Sequence, residues 1–192
     1  MRLFVALDPT SQMRTRLSFL TGGLPGVRWV PPENLHLTLR FIGELPNWRA
    51  EEVDHALAKV GMPGFSVTLA GVGAFAKGGR VKSLYVGLER SAALERLQAK
   101  VERALQGAGL EAERRRFVPH VTLARMGGPE VLESKVAGWV QGHNLFRSMP
   151  MMVEHFALFS SQLGKEQAVY CPEVEYELGR PSGSAAAELR VG

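Results

Sequence analysis

Two short segments carry the residue types that acid–base chemistry requires. The ranges His36–Leu39 and His120–Leu123 both have the pattern His-x-Thr-Leu. In a β-strand, residues i and i+2 point to the same face about 6–7 Å apart, so each segment would present an imidazole and a hydroxyl together. Two such strands facing one cleft would supply a general acid, a general base and two hydrogen-bond donors to a phosphoryl group. The doubled pattern therefore predicts phosphoester chemistry.

An internal repeat favours this interpretation over a simpler one. A single His-x-Thr is common, and alone it usually indicates a surface or hydrogen-bonded strand residue. Here the stretches from Phe4 to His36 and from Tyr85 to His120 both contain a strand, a helix, a turn and a histidine strand in that order. Two related half-domains would bring His36 and His120 face to face across a shared groove.

Zinc is the main competing explanation, because imidazole is a common zinc ligand and a catalytic zinc needs about three protein ligands. The remaining histidines show no ligand spacing such as HExxH, and we expect surface or capping roles for them: His55, His143 and His155. The glycines do not form a P-loop or a dinucleotide-binding loop. We therefore predict no metal and no cofactor.

Apolar periodicity predicts the elements that must position the histidine segments. Helices are predicted after Thr10 and over Val53–Val60, Ala92–Leu105 and Val131–Trp139. Strands are predicted over Leu3–Leu7, Arg28–Val30, Leu35–Ile42, Phe65–Phe75, Ser83–Leu88, Val118–Leu123, Met151–Phe159 and Ala168–Leu178. Within the third strand, strict alternation puts Leu35, Leu37, Leu39 and Phe41 on one face, and His36, Thr38 and Arg40 on the other.

The composition is that of one soluble domain of 192 residues, 45% of them hydrophobic and 22% charged. Apolar stretches are too short for a membrane helix, and the N-terminus is apolar too briefly for a signal peptide. Cys171 is the single cysteine, and the net charge of +4 mildly favours anionic partners such as RNA. We expect a cytoplasmic monomer with one domain over residues 1–178 and a disordered tail over 179–192.

The ranges Trp29–Leu39 and Pro119–Arg125 resemble the paired signatures of the two-histidine (2H) phosphoesterase superfamily. Within that superfamily, the chain is similar to the RNA 2′,3′-cyclic phosphodiesterase family, whose members are also called 2′-5′ RNA ligases. The ranges that resemble the N-terminal and C-terminal segments of that family are Leu3–Leu7 and Leu158–Tyr170. The resemblance implies an α+β fold: bilobal, with two related antiparallel sheets flanked by helices, a central cleft and an internal pseudo-two-fold duplication.

The resemblance also implies the activity, which is metal-independent hydrolysis of RNA 2′,3′-cyclic phosphate ends to 2′-phosphomonoesters. His36 would be the proton donor to the 3′-oxygen, and His120 the proton acceptor that activates water. Thr38 and Thr122 would bind the phosphate, and Arg125 matches a family arginine expected to contact it. The basic run Arg114–Arg116, followed by Phe117, could guide a single RNA strand or could be a solvated charge cluster.

Two alternatives to hydrolysis remain open. The same site could run the joining reaction between a 2′,3′-cyclic end and a 5′-hydroxyl, because microscopic reversibility uses the same acid and base in opposite order. Water at about 55 M favours hydrolysis unless the two RNA ends are held together. The second alternative is a non-catalytic RNA-end binding module. The intact histidine pair disfavours it, since binding alone would favour Arg or Lys.

Overall fold

A computed structural model describes residues 1–126, 133–164 and 168–179. Its elements in chain order are β1 (Arg2–Leu7), α1 (Ser11–Ser18), β2 (Val27–Trp29), β3 (Leu37–Glu44), α2 (Asn47–Leu57), β4 (Phe65–Val67), β5 (Leu69–Lys77), β6 (Arg80–Leu88), α3 (Ala92–Gly107), β7 (His120–Met126), α4 (Glu133–His143), β8 (Met151–Val153), β9 (His155–Leu163) and β10 (Ala168–Glu177). A short 3₁₀ turn over Pro32–Asn34 precedes β3. The single strand predicted over Phe65–Phe75 is two strands separated at Thr68.

The strands form two related antiparallel halves, as predicted. One half has the order β10-β9-β1-β3, and the other has β7-β6-β5 with β2 also paired to β7. The residue pair Leu37–Val121 joins β3 to β7 and so connects the halves into one sheet. A separate two-stranded sheet pairs β4 with β8. The predicted α+β class and its duplicated plan are confirmed.

The helices pack on one face of this sheet and leave the other face for the cleft. Helix α3 begins where the Ser91 hydroxyl accepts a hydrogen bond from the amide of Leu94, and it buries one stripe completely: Leu94, Leu97, Val101 and Leu105. These side chains join the main core together with Val5 of β1 and Leu123 of β7. A smaller cluster lies on the opposite face and contains Phe4, Ala6, Ala157 and Phe159.

A β-bulge occurs three residues after each histidine. In β3, Ala6 faces Thr38 and Val5 faces Arg40, so Leu39 is the extra residue. In β7, Tyr85 faces Thr122 and Leu84 faces Ala124, so Leu123 is the extra residue. An extra residue reverses the alternation of side chains along the strand. The side chains beyond each bulge therefore lie on the opposite face of the sheet from the one that strict alternation predicts.

The bulge in β3 makes the predicted alternation wrong beyond Thr38. Phe41, predicted on the leucine face, stands opposite Phe4 on the cleft face and is 47% exposed. Arg40, predicted on the histidine face, turns toward α3, where its Nε donates to Glu102 at 2.6 Å. Sequence alternation could not indicate this, because the extra residue is defined by the pairing with β1.

The bulge in β7 acts in the same way on Arg125. Strict alternation from His120 would put Arg125 with the buried Val121. Instead it faces Ser83 and is exposed on the side of the sheet that carries Thr122. The bulge therefore turns this cation toward the cleft.

Two backbone hydrogen bonds hold Gly179, the residue at which the predicted tail begins. Its carbonyl accepts one from the amide of Gly64 at 2.7 Å, and its amide donates one to the carbonyl of Met62 at 3.0 Å. The rest of the predicted tail, 180–192, lies outside the described residues, as do the predicted break and the start of the predicted fourth helix at 127–132. Within the described residues, no helix is long and apolar enough to cross a membrane.

Candidate active site

The register between the halves brings the predicted site residues together. Because Leu37 pairs antiparallel with Val121, His36 stands across from Thr122, and Thr38 across from His120. Directly opposed residues lie about 4.5–5.5 Å apart and diagonal ones about 7–8 Å. The two histidines occupy one diagonal of this square and the two threonines the other. All four residues thus lie around the Leu37–Val121 pair on the cleft face.

Each imidazole is oriented by the backbone two residues before it. Nδ1 of His36 lies 2.7 Å from the carbonyl oxygen of Asn34, and Nδ1 of His120 lies 2.7 Å from that of Val118. A carbonyl can only accept, so Nδ1 is the donor in both rings. In each neutral ring this leaves Nε2 as the basic nitrogen, available for proton transfer in the cleft.

Both rings also sit against aromatic side chains. The ring centroid of His36 is 4.9 Å from that of Phe4 and 5.1 Å from that of Tyr170. The corresponding distances from His120 are 4.8 Å to Phe75 and 5.6 Å to Tyr85. Sequence reasoning did not assign these aromatic residues to the site. The signal that could have found them is that Phe4 and Tyr85 occupy equivalent positions in the repeat.

The surroundings keep His36 neutral over most of the pH range. Burial lowers its pKa to about 4, the Asn34 carbonyl opposes this, and the charges of Arg125, His120 and Arg14 lower it further. For His120, burial again lowers the pKa most, the Val118 carbonyl opposes it, and Arg125 adds to the lowering. The charge of Arg125 thus acts on both imidazoles.

An arginine also holds the turn that precedes His36. Arg14 donates to the carbonyls of Pro9 and Leu35 at 3.0 and 3.1 Å, and it pairs with Asp8. The Asn34 side chain donates to Ala168 at 2.8 Å and so ties this turn to β10, which carries Tyr170. Sequence reasoning missed Asn34 and Arg14, because their partners are set by long-range contacts.

The segment before His120 is fixed through a different ion pair. Glu102 of α3 binds the Nε of Arg40 and accepts the amide of Glu113 at 2.9 Å. Hydrogen bonds from Arg115 lower the pKa of Glu113 to about 2. This network holds the chain between α3 and β7, where the basic run Arg114–Arg116 lies exposed.

Arg125 faces a second arginine across a strand pair. Arg28 of β2 is its direct partner in the register, and both line a cavity of about 420 Å³ together with Asn34 and Tyr170. Among the described residues, no carboxylate pairs with either arginine. Opposed like charges are destabilising, so this "arginine cavity" has the electrostatics of an anion site.

The hydroxyls of Thr38 and Thr122 are half-buried and make no hydrogen bond to another described side chain or backbone group. They are therefore available to donate to a phosphoryl oxygen. Of the histidines predicted to have surface or capping roles, His55 is exposed on α2. His143 is half-buried at the end of α4, with its Nδ1 2.8 Å from the carbonyl oxygen of Trp139. Across the described ranges, no three or more His, Cys, Asp or Glu side chains are grouped where they could hold a metal ion.

We expect the free energy of unfolding to decrease as the pH falls from about 6.5 to about 4. Folded His36 has a pKa of about 4, whereas an unfolded histidine titrates near 6.5. In this window the unfolded chain binds more protons, so acid favours unfolding, by up to about 3 kcal/mol from this residue. Urea unfolding at about pH 7 and about pH 4.5 measures this difference in the free energy of unfolding. The variant His36→Gln should show a shallower dependence, and equal slopes would contradict the lowered pKa.

The fold and the doubled histidine site define a two-histidine phosphoesterase. The chain belongs to the 2′-5′ RNA ligase superfamily, whose sequence pattern matches residues 13–165. That range includes both histidine segments and Arg125. The family resemblance drawn from the two segments is confirmed.

Named relatives cover most of the chain. The RNA 2′,3′-cyclic phosphodiesterase of Thermotoga maritima is 30% identical over 183 residues, covering 92% of this chain and 94% of that protein. The protein of the same name from Aeropyrum pernix is 40% identical over 124 residues, covering 64% of this chain and 70% of its own. A solved structure from Thermus thermophilus has a TM-score of 0.75 at 26% identity, covering 94% of this chain and 99% of that one. The E. coli LigT complex with 3′-AMP shares the fold, with a TM-score of 0.74 at 23% identity over 92% of this chain and 97% of that one.

Proposed function

We propose that this protein hydrolyses RNA 2′,3′-cyclic phosphate ends to 2′-phosphomonoesters without a metal. The observation that carries the proposal is the histidine–threonine square, in which both rings donate Nδ1–H to backbone carbonyls. The names of the relatives from Thermotoga maritima and Aeropyrum pernix support the same substrate class. RNA or nucleotide 2′,3′-cyclic ends are thus the proposed partners.

In the proposed reaction, Nε2 of His120 removes a proton from water while the water oxygen bonds to phosphorus. The bond from phosphorus to the 3′-oxygen breaks, and Nε2 of His36 gives its proton to that oxygen. The 2′-oxygen keeps the phosphate. Atoms and protons balance, because one imidazole gains the proton that the other loses, and solvent resets the pair.

The electrostatics set a condition on this division of roles. Burial and the neighbouring cations lower the pKa of His36 to about 4, so its imidazole is neutral near pH 7 until a substrate raises that pKa. Burial and Arg125 also lower the pKa of His120, which favours its neutral, proton-accepting form. The negative charge of a bound phosphate would offset Arg125 and so raise the pKa of His36 toward the protonated form.

The remaining groups would hold the phosphate. Thr38 and Thr122 would each donate one hydrogen bond to a non-bridging oxygen, where negative charge increases in the transition state. Arg125 would supply the cation, and Arg28, its partner across the strands, would contact the next phosphate along the RNA. The exposed run Arg114–Arg116 would help to guide a single strand.

We also propose that the protein works as a cytoplasmic monomer. Support comes from the site itself, since both histidine segments belong to one chain and the square is complete within it.

A non-catalytic RNA-end binding module would not need two oriented imidazoles. The cations Arg28 and Arg125 would be enough to bind a phosphate.

The deciding experiment uses an oligonucleotide with a 2′,3′-cyclic end, incubated with the protein in EDTA and followed by ³¹P NMR. We expect conversion to the 2′-phosphate at an unchanged rate, because no metal is needed to activate the water. A 3′-phosphate product would contradict the proposed leaving group, and loss of the rate in EDTA would contradict the metal-free mechanism. Binding without turnover would favour the non-catalytic module.

A further inference from the structure

A groove runs between α2 and α3 on the solvent side of the helices, away from the cleft. Both helices bury their other face in the main core, α2 through Val53 and Leu57. The larger part of the groove has a volume of about 780 Å³ and is lined partly by small side chains: Ala56, Ala104 and Ala108. A smaller part of about 550 Å³ continues from it at Lys100, between α3 and the segment Gly61–Ser66. We call the two parts together the "helix groove".

The helix groove is strongly basic. Among the described residues that line it, five are cations and one is a carboxylate. The cations are Arg49, Lys59, Arg96, Lys100 and Arg103, and the carboxylate is Glu52. Their net charge equals the +4 of the whole chain. The remaining residues are therefore neutral in sum, and the helix groove is a surface to which an anionic partner would be attracted.

Most of these cations have no carboxylate partner within the described part of the chain. Only Arg49 is paired, with the carboxylate of the groove at 2.8 Å; the other four make no ion pair. The carboxylates of α3 are paired outside the groove, Glu95 with Arg90 at 3.6 Å and Glu102 with Arg40 at 2.6 Å. The cations of the groove are thus left free to bind an external anion.

The spacing of the cations on α3 excludes an ordinary solvated helix face. Arg96, Lys100 and Arg103 stand at i, i+4 and i+7, so they lie on one face with neighbours about 5–6 Å apart. A solvated face usually has Glu three or four positions from Lys or Arg, but no carboxylate stands at that spacing from any of the three. Like charges at this spacing destabilise a helix, and a bound anion would remove the repulsion.

The length of the groove favours a chain of phosphates over a single small anion. From Arg49 to Lys59 the α2 wall extends about 15 Å, at 1.5 Å per residue. The groove ends where α3 ends, and the chain then continues to the exposed basic run Arg114–Arg116. Two arginines of that run border the cleft beside His120. A polyanion in the groove and one in the cleft therefore share a connected basic surface.

We propose that the helix groove binds the phosphate backbone of RNA, remote from the phosphate that reacts. The inference rests on the proposed function, because a protein that acts on RNA ends meets RNA as its polyanion. The groove holds the body of an RNA whose cyclic end lies in the cleft. This contact raises the affinity for a long RNA and leaves a mononucleotide unaffected, since a mononucleotide cannot occupy both places.

The test compares two substrates: a 2′,3′-cyclic mononucleotide and a single-stranded RNA of about 20 nucleotides with a 2′,3′-cyclic end, longer than the ~4–16 nucleotides that one strand-binding groove covers. For the double variant Lys100→Glu with Arg103→Glu, we expect KM for the long RNA to rise about tenfold at low salt while kcat stays unchanged. Both kinetic constants for the mononucleotide should match those of the wild type.

Salt dependence gives a measurement that a purely structural role would not change. For binding of the long RNA, the slope of log Kd against log salt should decrease by about 1.4 or more in the double variant, because each phosphate contact on a single strand contributes about 0.7. The matched control is Arg16→Glu with Lys135→Glu. It makes the same change in net charge at exposed positions on α1 and α4, and it should leave the slope near that of the wild type.

Each outcome bears on one claim. Equal KM values for the long RNA in the groove variant and the control would overturn the inference. An equal loss on the mononucleotide would also overturn it, since the change would then act on the cleft. Tighter binding of poly-glutamate than of RNA, abolished in the groove variant, would assign the groove to an acidic protein instead. Failure of the wild type to hydrolyse either substrate would refute the proposed function, whereas an unchanged salt slope would refute only the groove.

Discussion

Replacing either His36 or His120 by alanine should lower kcat/KM for a 2′,3′-cyclic substrate by about 10²–10⁴-fold, the usual contribution of a positioned proton donor or acceptor. The double variant should lose far less than the product of the two losses, because the pair acts as a unit. Steady-state kinetics on a 2′,3′-cyclic mononucleotide measures kcat/KM for the two single variants and the double variant. The threonine variants Thr38→Ala and Thr122→Ala should lose less, since each removes one hydrogen bond and leaves proton transfer intact.

Two controls separate catalysis from folding in this series. His55→Ala changes an exposed histidine on α2 and should retain wild-type kinetics. His36 is buried, so His36→Gln should be compared with His36→Ala at about pH 7, with both checked for unfolding by urea. Loss of activity in His55→Ala, or near-normal activity in either site variant with folding intact, would contradict the catalytic assignment.

A substrate with a good leaving group should restore His36→Ala far more than His120→Ala. A nucleoside phosphodiester with a 4-nitrophenoxide leaving group needs no proton at the departing oxygen, so removing the acid should cost little. The attacking water still needs a base. We expect the gap between wild type and His36→Ala to shrink by about 10²-fold or more on this substrate, and the gap for His120→Ala to stay nearly unchanged.

The pH profile provides a second measurement on the same proteins. The wild type should give a bell-shaped kcat/KM on the cyclic substrate, with limbs that belong to the histidine pair as a whole. With the activated substrate, His36→Ala should lose the limb that requires a protonated acid and should reach a plateau at high pH. Restoration of His120→Ala instead would reverse the two roles. Restoration of neither would mean that the histidines do not transfer protons.

The grouping of the proposed catalytic residues could be predicted from sequence because their geometry is local. Within His36–Thr38 and His120–Thr122, the two-residue period of a strand is enough to place the imidazole and the hydroxyl on one face. The positions beyond could not be predicted, because Leu39 and Leu123 are extra residues only with respect to the neighbouring strands. Alternation therefore fails for Phe41, which is where the two ends of the cleft differ.

Other parts of the site depend on contacts between distant segments. Arg28 reaches Arg125 only because a short strand, β2, pairs with β7. Asn34 and Arg14 act through partners on β10 and in the turn before β3. Single-sequence patterns carry no information about such pairs. The repeat did suggest that the histidines meet, and the register at Leu37 and Val121 gives the physical reason.

The matching bulges also bear on the origin of the fold. An extra leucine at the same place in both halves is explained most simply by one inherited feature, present before the coding sequence was duplicated. On that explanation the two halves differ at the position five residues after each histidine, which is Phe41 in one half and Arg125 in the other. A shared bulge with different residues beyond it keeps the two histidine segments alike while each half presents its own side chain to the cleft.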